Sequence, residues 1–117
     1  RFRSGSQIDA ASYIAAWDSL KYFRLEYGKL MNYDAVLLPT TPILPPITRE
    51  LITNNDYFKT CNLMSLRNTR VANLLGLPAL TLPTARNFCG LMLMGKPFQE
   101  SNLLAIGKSV EEIINKT

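Results

Sequence analysis

A chain of 117 residues with 47% hydrophobic content is long enough for one packed domain or one piece of a larger one. Its 13 basic and 9 acidic residues are scattered, with no basic run longer than the Arg1/Arg3 pair, so a clustered nucleic-acid footprint is not expected. The absence of histidine excludes a Ser-His-Asp triad and the imidazole ligands of most catalytic zinc sites within this chain.

In chain order, residues 9 to 31 read as an amphipathic helix. Tyr13, Trp17, Leu20, Phe23, Tyr27 and Leu30 recur at steps of three and four, and Asp9 stands at the N-cap. The continuous apolar run Ala35 to Leu38, stopped by Pro39, predicts a short strand buried on both faces. Prolines at 39, 42, 45 and 46 then enforce a stiff loop at the strand's carboxyl end, where open α/β sheets place ligands. Thr48 to Asn55 reads as a polar turn, after which Asp56 opens one helix and Ser65 caps another that runs to Leu75. Gly76 suits a left-handed helix stop, and Pro78 blocks continuation.

Ala79 to Leu82 and Phe88 to Met94 predict two further strands, the second with Gly90 inside it. A helix from Glu100 or Ser101 to Asn115 closes the chain, its stripe being Leu103, Ile106, Val110, Ile113 and Ile114. The expected order is α-β-α-α-β-β-α, an α/β arrangement with a short mixed sheet flanked by helices. Three apolar strands make a thin sheet with open edges, as expected of one end of a larger one. Cys61 and Cys89 lack C-x-x-C spacing and read as two small buried residues in a reduced compartment. No apolar run reaches the roughly 18 to 20 residues that span a bilayer, so a cytoplasmic location is expected. The chain opens on Arg1 rather than methionine, which reads as a cut, a processing site or an artificial boundary.

Four blocks in series carry a family resemblance: IDAASYIAA from Ile8, YDAVLLPTTPILPPI from Tyr33, RNTRVANLLGLPALTLPT from Arg67, and CGLMLMGKPFQESNLLAIGKSVE from Cys89. Together they resemble the C-terminal portion of amidase signature enzymes, which include bacterial amidases, allophanate hydrolase, fatty acid amide hydrolases and the A subunit of glutamyl-tRNA amidotransferase. The resemblance spans nearly all of residues 1–117. It implies an enzyme that hydrolyses a carboxamide to carboxylate and ammonia through a Ser-Ser-Lys arrangement, with no cofactor and no metal. A neutral buried lysine would draw a proton through a bridging serine to activate the nucleophile.

This chain has no Ser-Ser or Gly-Gly pair, and Lys96 merely follows a strand, so no catalytic residue is assigned and the catalytic core is expected outside it. Substrate-binding candidates are Thr40 and Thr41 on the proline-rich loop and Arg67, Arg70 and Asn73 on one helix face. The competing reading makes the threonines a self-satisfied turn and the helix strip a solvated face. Leu66 stands where the A subunits of the amidotransferase usually carry an acidic residue, which favours the bacterial amidase branch. Expected partners are the upstream portion of the same enzyme, or self-association through an exposed sheet edge, and a small amide substrate. Two alternatives stay open: a non-catalytic truncated remnant or interaction module, and part of the A subunit of an amidotransferase.

Overall fold

A computed structural model describes residues 5–116; the Arg1/Arg3 pair lies outside them. The chain divides into two compact units, one up to Asn32 and one from Tyr33.

Among its described residues the first unit holds one long helix, α1 (Ala10–Leu30). Asp9 is extended at φ −73° and ψ 160°, and its carboxylate accepts bonds from the Ser12 N–H at 2.7 Å and the Ser12 hydroxyl at 2.9 Å. One orphan donor of the first turn is thereby satisfied. The bond from the Ser12 N–H, reinforced by the hydroxyl, holds the Asp9 carboxyl below its ordinary range. A depressed carboxylate pKa contributes helix stability in full above the ordinary value, and that contribution disappears as pH falls through the lowered one. We therefore expect α1 to fray on acidification below about pH 4 and Asp9→Ala to abolish that pH dependence, read as ellipticity at 222 nm. The amphipathic reading of this helix is corrected: Ile14, Tyr22 and Leu25 lie across the helix from the expected stripe, so apolar side chains run around α1 with no single stripe. Trp17, 43% exposed, meets Tyr13 edge-on and the Arg24 guanidinium.

The second unit is built on a sheet of β1 (Val36–Pro39), β2 (Ala79–Pro83) and β3 (Gly90–Met94) in the order β1-β3-β2. Both ladders are antiparallel, pairing Leu37 with Leu93 and Leu80 with Leu93, so the same central residue sits between two leucines. On central β3, Gly90 and Leu91 are half-buried and Met92, Leu93 and Met94 are buried. The expectation that β1 is buried on both faces fails. It is an edge strand whose residues alternate between half-buried and exposed, with Leu37 58% exposed.

Helix α5 (Glu100–Ile114) covers one sheet face. Leu103 joins Leu82 and Leu93 in the core, with Ile106, Val110 and Ile114 packed around them at steps of three and four. Ile113, expected on this stripe, is 64% exposed, because it lies about 100° around the helix from Ile114.

Three helices connect β1 to β2: α2 (Thr48–Thr53), α3 (Asn55–Ser65) and α4 (Arg67–Leu75). Helix α2 corrects the expected polar turn and adds one helix to the anticipated order. Extended Ile47 caps its start, and the Thr53 hydroxyl closes its end by donating to the Arg49 carbonyl. Helix α3 starts one residue before Asp56, because the Asn54 side chain accepts from the N–H groups of both Asp56 and Tyr57. Ser65 does not cap α4; its hydroxyl donates to the Cys61 carbonyl, and Leu66 takes the cap position without a side-chain bond. At the other end Gly76 is left-handed, at φ 69° and ψ 40°. Its N–H reaches the Asn73 carbonyl and the Leu77 N–H reaches that of Ala72, the paired bonds of a Schellman stop.

Candidate functional site

The carboxyl end of β1, the carboxyl end of β2 and the start of β3 coincide at one end of the sheet. There the Thr40 N–H donates to the Gly90 carbonyl at 2.9 Å, extending the β1 ladder by one rung. The Thr40 hydroxyl reaches across the central strand to the Thr81 hydroxyl on β2, at 3.3 Å. Gly90 makes that meeting possible, since a Cβ there would fall 2.7 Å from Thr40 Oγ1 and 3.2 Å from Thr81 Cγ2.

The first turn of α4 is tied to the same place. Asn68 Nδ2 donates to the Pro39 carbonyl at 2.7 Å, joining the PTTP segment to the RNTR segment. This contact positions a helix start beside a strand end.

The five sequence candidates divide over this frame. Thr40 belongs to the sheet-end cluster, whereas the Thr41 hydroxyl donates to the Ile43 carbonyl at 3.2 Å within its own turn. Arg67, Arg70 and Asn73 form an exposed strip on α4, on the side away from half-buried Asn68 and buried Ala72. Among the described residues neither arginine forms an ion pair. Asn68, Thr81 and Gly90 escaped the sequence reading of the site. A polar residue between Leu80 and Leu82 and a glycine within a strand were the available signals, but their meeting depends on strand register.

A separate open groove of about 190 Å³ lies between the proline-rich loop and helices α2 and α3, lined by Pro46, Leu51, Phe58, Cys61, Asn62, Ser65 and Leu66. Nearby, a hydrogen bond with Cys61 raises the Tyr57 phenol above its ordinary pKa. The groove lining is apolar or neutral. No group of three or more cysteines and carboxylates among the described residues could hold a metal, and no described helix is long and apolar enough to cross a membrane.

Comparison with known proteins matches residues 2–104 to a family model described as Amidase. The chain is 31% identical to a 2-amino-5-chloromuconic acid deaminase of Comamonas testosteroni over 99% of its own length and 26% of the relative's. It is 35% identical to the A subunit of a glutamyl-tRNA(Gln) amidotransferase from Sulfurisphaera tokodaii, covering 98% of this chain and 25% of that protein. Against a fatty acid amide hydrolase of Arabidopsis thaliana the identity is 32%, over 96% and 19% respectively. The chain thus spans about a quarter or less of the length of these curated relatives. The match covers both units and every strand of the sheet, and on it the chain belongs to the amidase family.

Proposed function

We propose that this chain is a C-terminal, cleft-forming part of an amidase that hydrolyses a carboxamide to carboxylate and ammonia. The supporting observation is the Asn68–Pro39 bond, which joins two family blocks, PTTP and RNTR, at a sheet end where a substrate can approach. The names of the relatives, a deaminase, an amidotransferase and an amide hydrolase, all denote carbon–nitrogen chemistry, which agrees with this reading. In it, Thr40 and Thr41 stand on the loop at the sheet end, whereas the exposed strip of Arg67, Arg70 and Asn73 faces away from that end and meets substrate only across polypeptide outside residues 1–117. The Ser-Ser-Lys machinery is contributed by polypeptide outside residues 1–117, and the enzyme works in the cytoplasm.

The upstream part of the same protein is the proposed partner. Among the described residues of its own unit, helix α1 leaves Tyr13, Ile14, Tyr22, Phe23 and Leu25 exposed, and such a surface calls for a covering element. General amidase activity is favoured over glutamine-specific transfer because Leu66, at the start of α4, offers no charge to a substrate amino group.

The test is an amide-hydrolysis assay on the 117-residue chain alone and joined to its preceding polypeptide. Ammonia release is expected from the joined protein only. Turnover by the isolated chain would overturn the placement of the catalytic groups, and a joined protein inert toward every carboxamide would favour a non-catalytic remnant.

A further inference from the structure

We propose that Thr81, acting with Thr40, forms a two-point recognition site for a carboxamide edge, assembled over Gly90; this rests on the amidase reading above. A glycine in the middle strand of a sheet sacrifices stability, since it leaves a gap in side-chain packing and loses more chain entropy on folding than any other residue. Here the space it vacates is occupied by two threonine side chains from opposite neighbours, at 2.7 and 3.2 Å from where its Cβ would stand. Their hydroxyl contact, at 3.3 Å, is longer than a strong O–H···O bond and lies at an exposed position, so it adds little to folding. The glycine therefore serves the arrangement of the hydroxyls more than the sheet.

That arrangement has a definite chemistry. With the Thr40 hydroxyl donating to Thr81, Thr40 keeps its acceptor lone pairs and Thr81 keeps a free O–H. If the pair reverses, the roles exchange, and the two oxygens still present one donor and one acceptor side by side. A primary carboxamide presents the complement on one edge, an N–H donor beside a C=O acceptor. The Asn68 carboxamide, by contrast, is already committed to the Pro39 carbonyl and holds the β1 end in place beside the pair. Thr81 is thus a substrate-positioning residue whose loss affects binding more than the chemical step.

The experiment compares wild type, Thr81→Val, Thr81→Ser and Gly90→Ala in the chain joined to its preceding polypeptide, with KM and kcat for a primary carboxamide and the unfolding midpoint of each variant. Valine matches threonine in shape and suits a strand, so the fold is retained. Losing one neutral hydrogen bond raises KM about three- to tenfold while kcat stays within about twofold. Serine restores KM to within about twofold of wild type, and Gly90→Ala raises it like valine by driving the hydroxyls apart. A KM indifferent to Thr81→Val, a serine variant as impaired as the valine one, or a fall in kcat at constant KM would each overturn the proposal while leaving the amidase reading intact. A wild-type protein without amide turnover would overturn both. If Thr81→Val does not fold, Thr40→Val removes the same contact from the other strand and is held to the same outcomes.

Discussion

Leu93→Ala is expected to destabilise the unit beginning at Tyr33 by about 2–5 kcal/mol, read from the urea midpoint of the far-ultraviolet transition. Leu93 is fully buried on the central strand, in register with Leu37 on one side and Leu80 on the other, and it packs with Leu82 and Leu103. Truncation removes three side-chain carbons from a point shared by the sheet and α5. The sheet is hydrogen-bonded on both sides of Leu93 and cannot collapse far into the cavity, which places the effect toward the upper part of the range. Domains of this size have only about 5–15 kcal/mol in hand, so much of the unit's stability should be lost. An unchanged midpoint would mean that α5 does not rest on Leu93 in solution.

Gly107→Leu should produce a comparable loss by the opposite route. Gly107 is buried in α5 directly over Leu80, and a Cβ built on it collides with the Leu80 Cδ2 methyl. Two effects oppose each other when the side chain is small. Alanine gains about 1 kcal/mol of helix propensity, while the Leu80 methyl, the free end of a flexible side chain, can turn aside, so Gly107→Ala should be close to neutral. Leucine has no such escape; it levers α5 from β2 at a typical overpacking cost of about 1–3 kcal/mol, beyond what propensity returns. Thermal unfolding should show a lowered Tm for Gly107→Leu. Adding Leu80→Ala should recover part of it, since the space removed on the strand accommodates the side chain added on the helix. Additive losses in the double variant would argue against direct packing of these two residues.

Much of this architecture is legible in local residue patterns. Asp9 capping through Ser12, Gly76 before Pro78, and Leu103, Ile106, Val110 and Ile114 on one face each depend on neighbours within about four positions. The misreadings arise where two local choices compete. Thr48 to Thr53 contains threonines at both ends and looks like a turn, but Glu50 at the helix start and a back-bonded Thr53 suffice for a short helix. Ser65 has a capping side chain, yet it is still inside α3 and bonds backward to Cys61. The site was less visible for a different reason. Thr40 could be suspected from its strand-end loop, but its partner Thr81 is 41 residues away, and only the register of two ladders brings their hydroxyls over Gly90.

The two prolines that end the edge strands have a consequence for assembly. The N–H groups of Thr40 and Thr84 point inward to the Gly90 and Cys89 carbonyls, and donors alternate along a strand, so the nitrogens of Pro39 and Pro83 face outward. Each outer border of the sheet therefore lacks a donor at the end that carries the threonine pair, and β1, only four residues long, keeps a single outward N–H, that of Leu37. A strand from a second copy arriving at either border would find the ladder interrupted there. The sheet end that presents the hydroxyls is thus guarded against being papered over by another strand, and stays free for a smaller visitor.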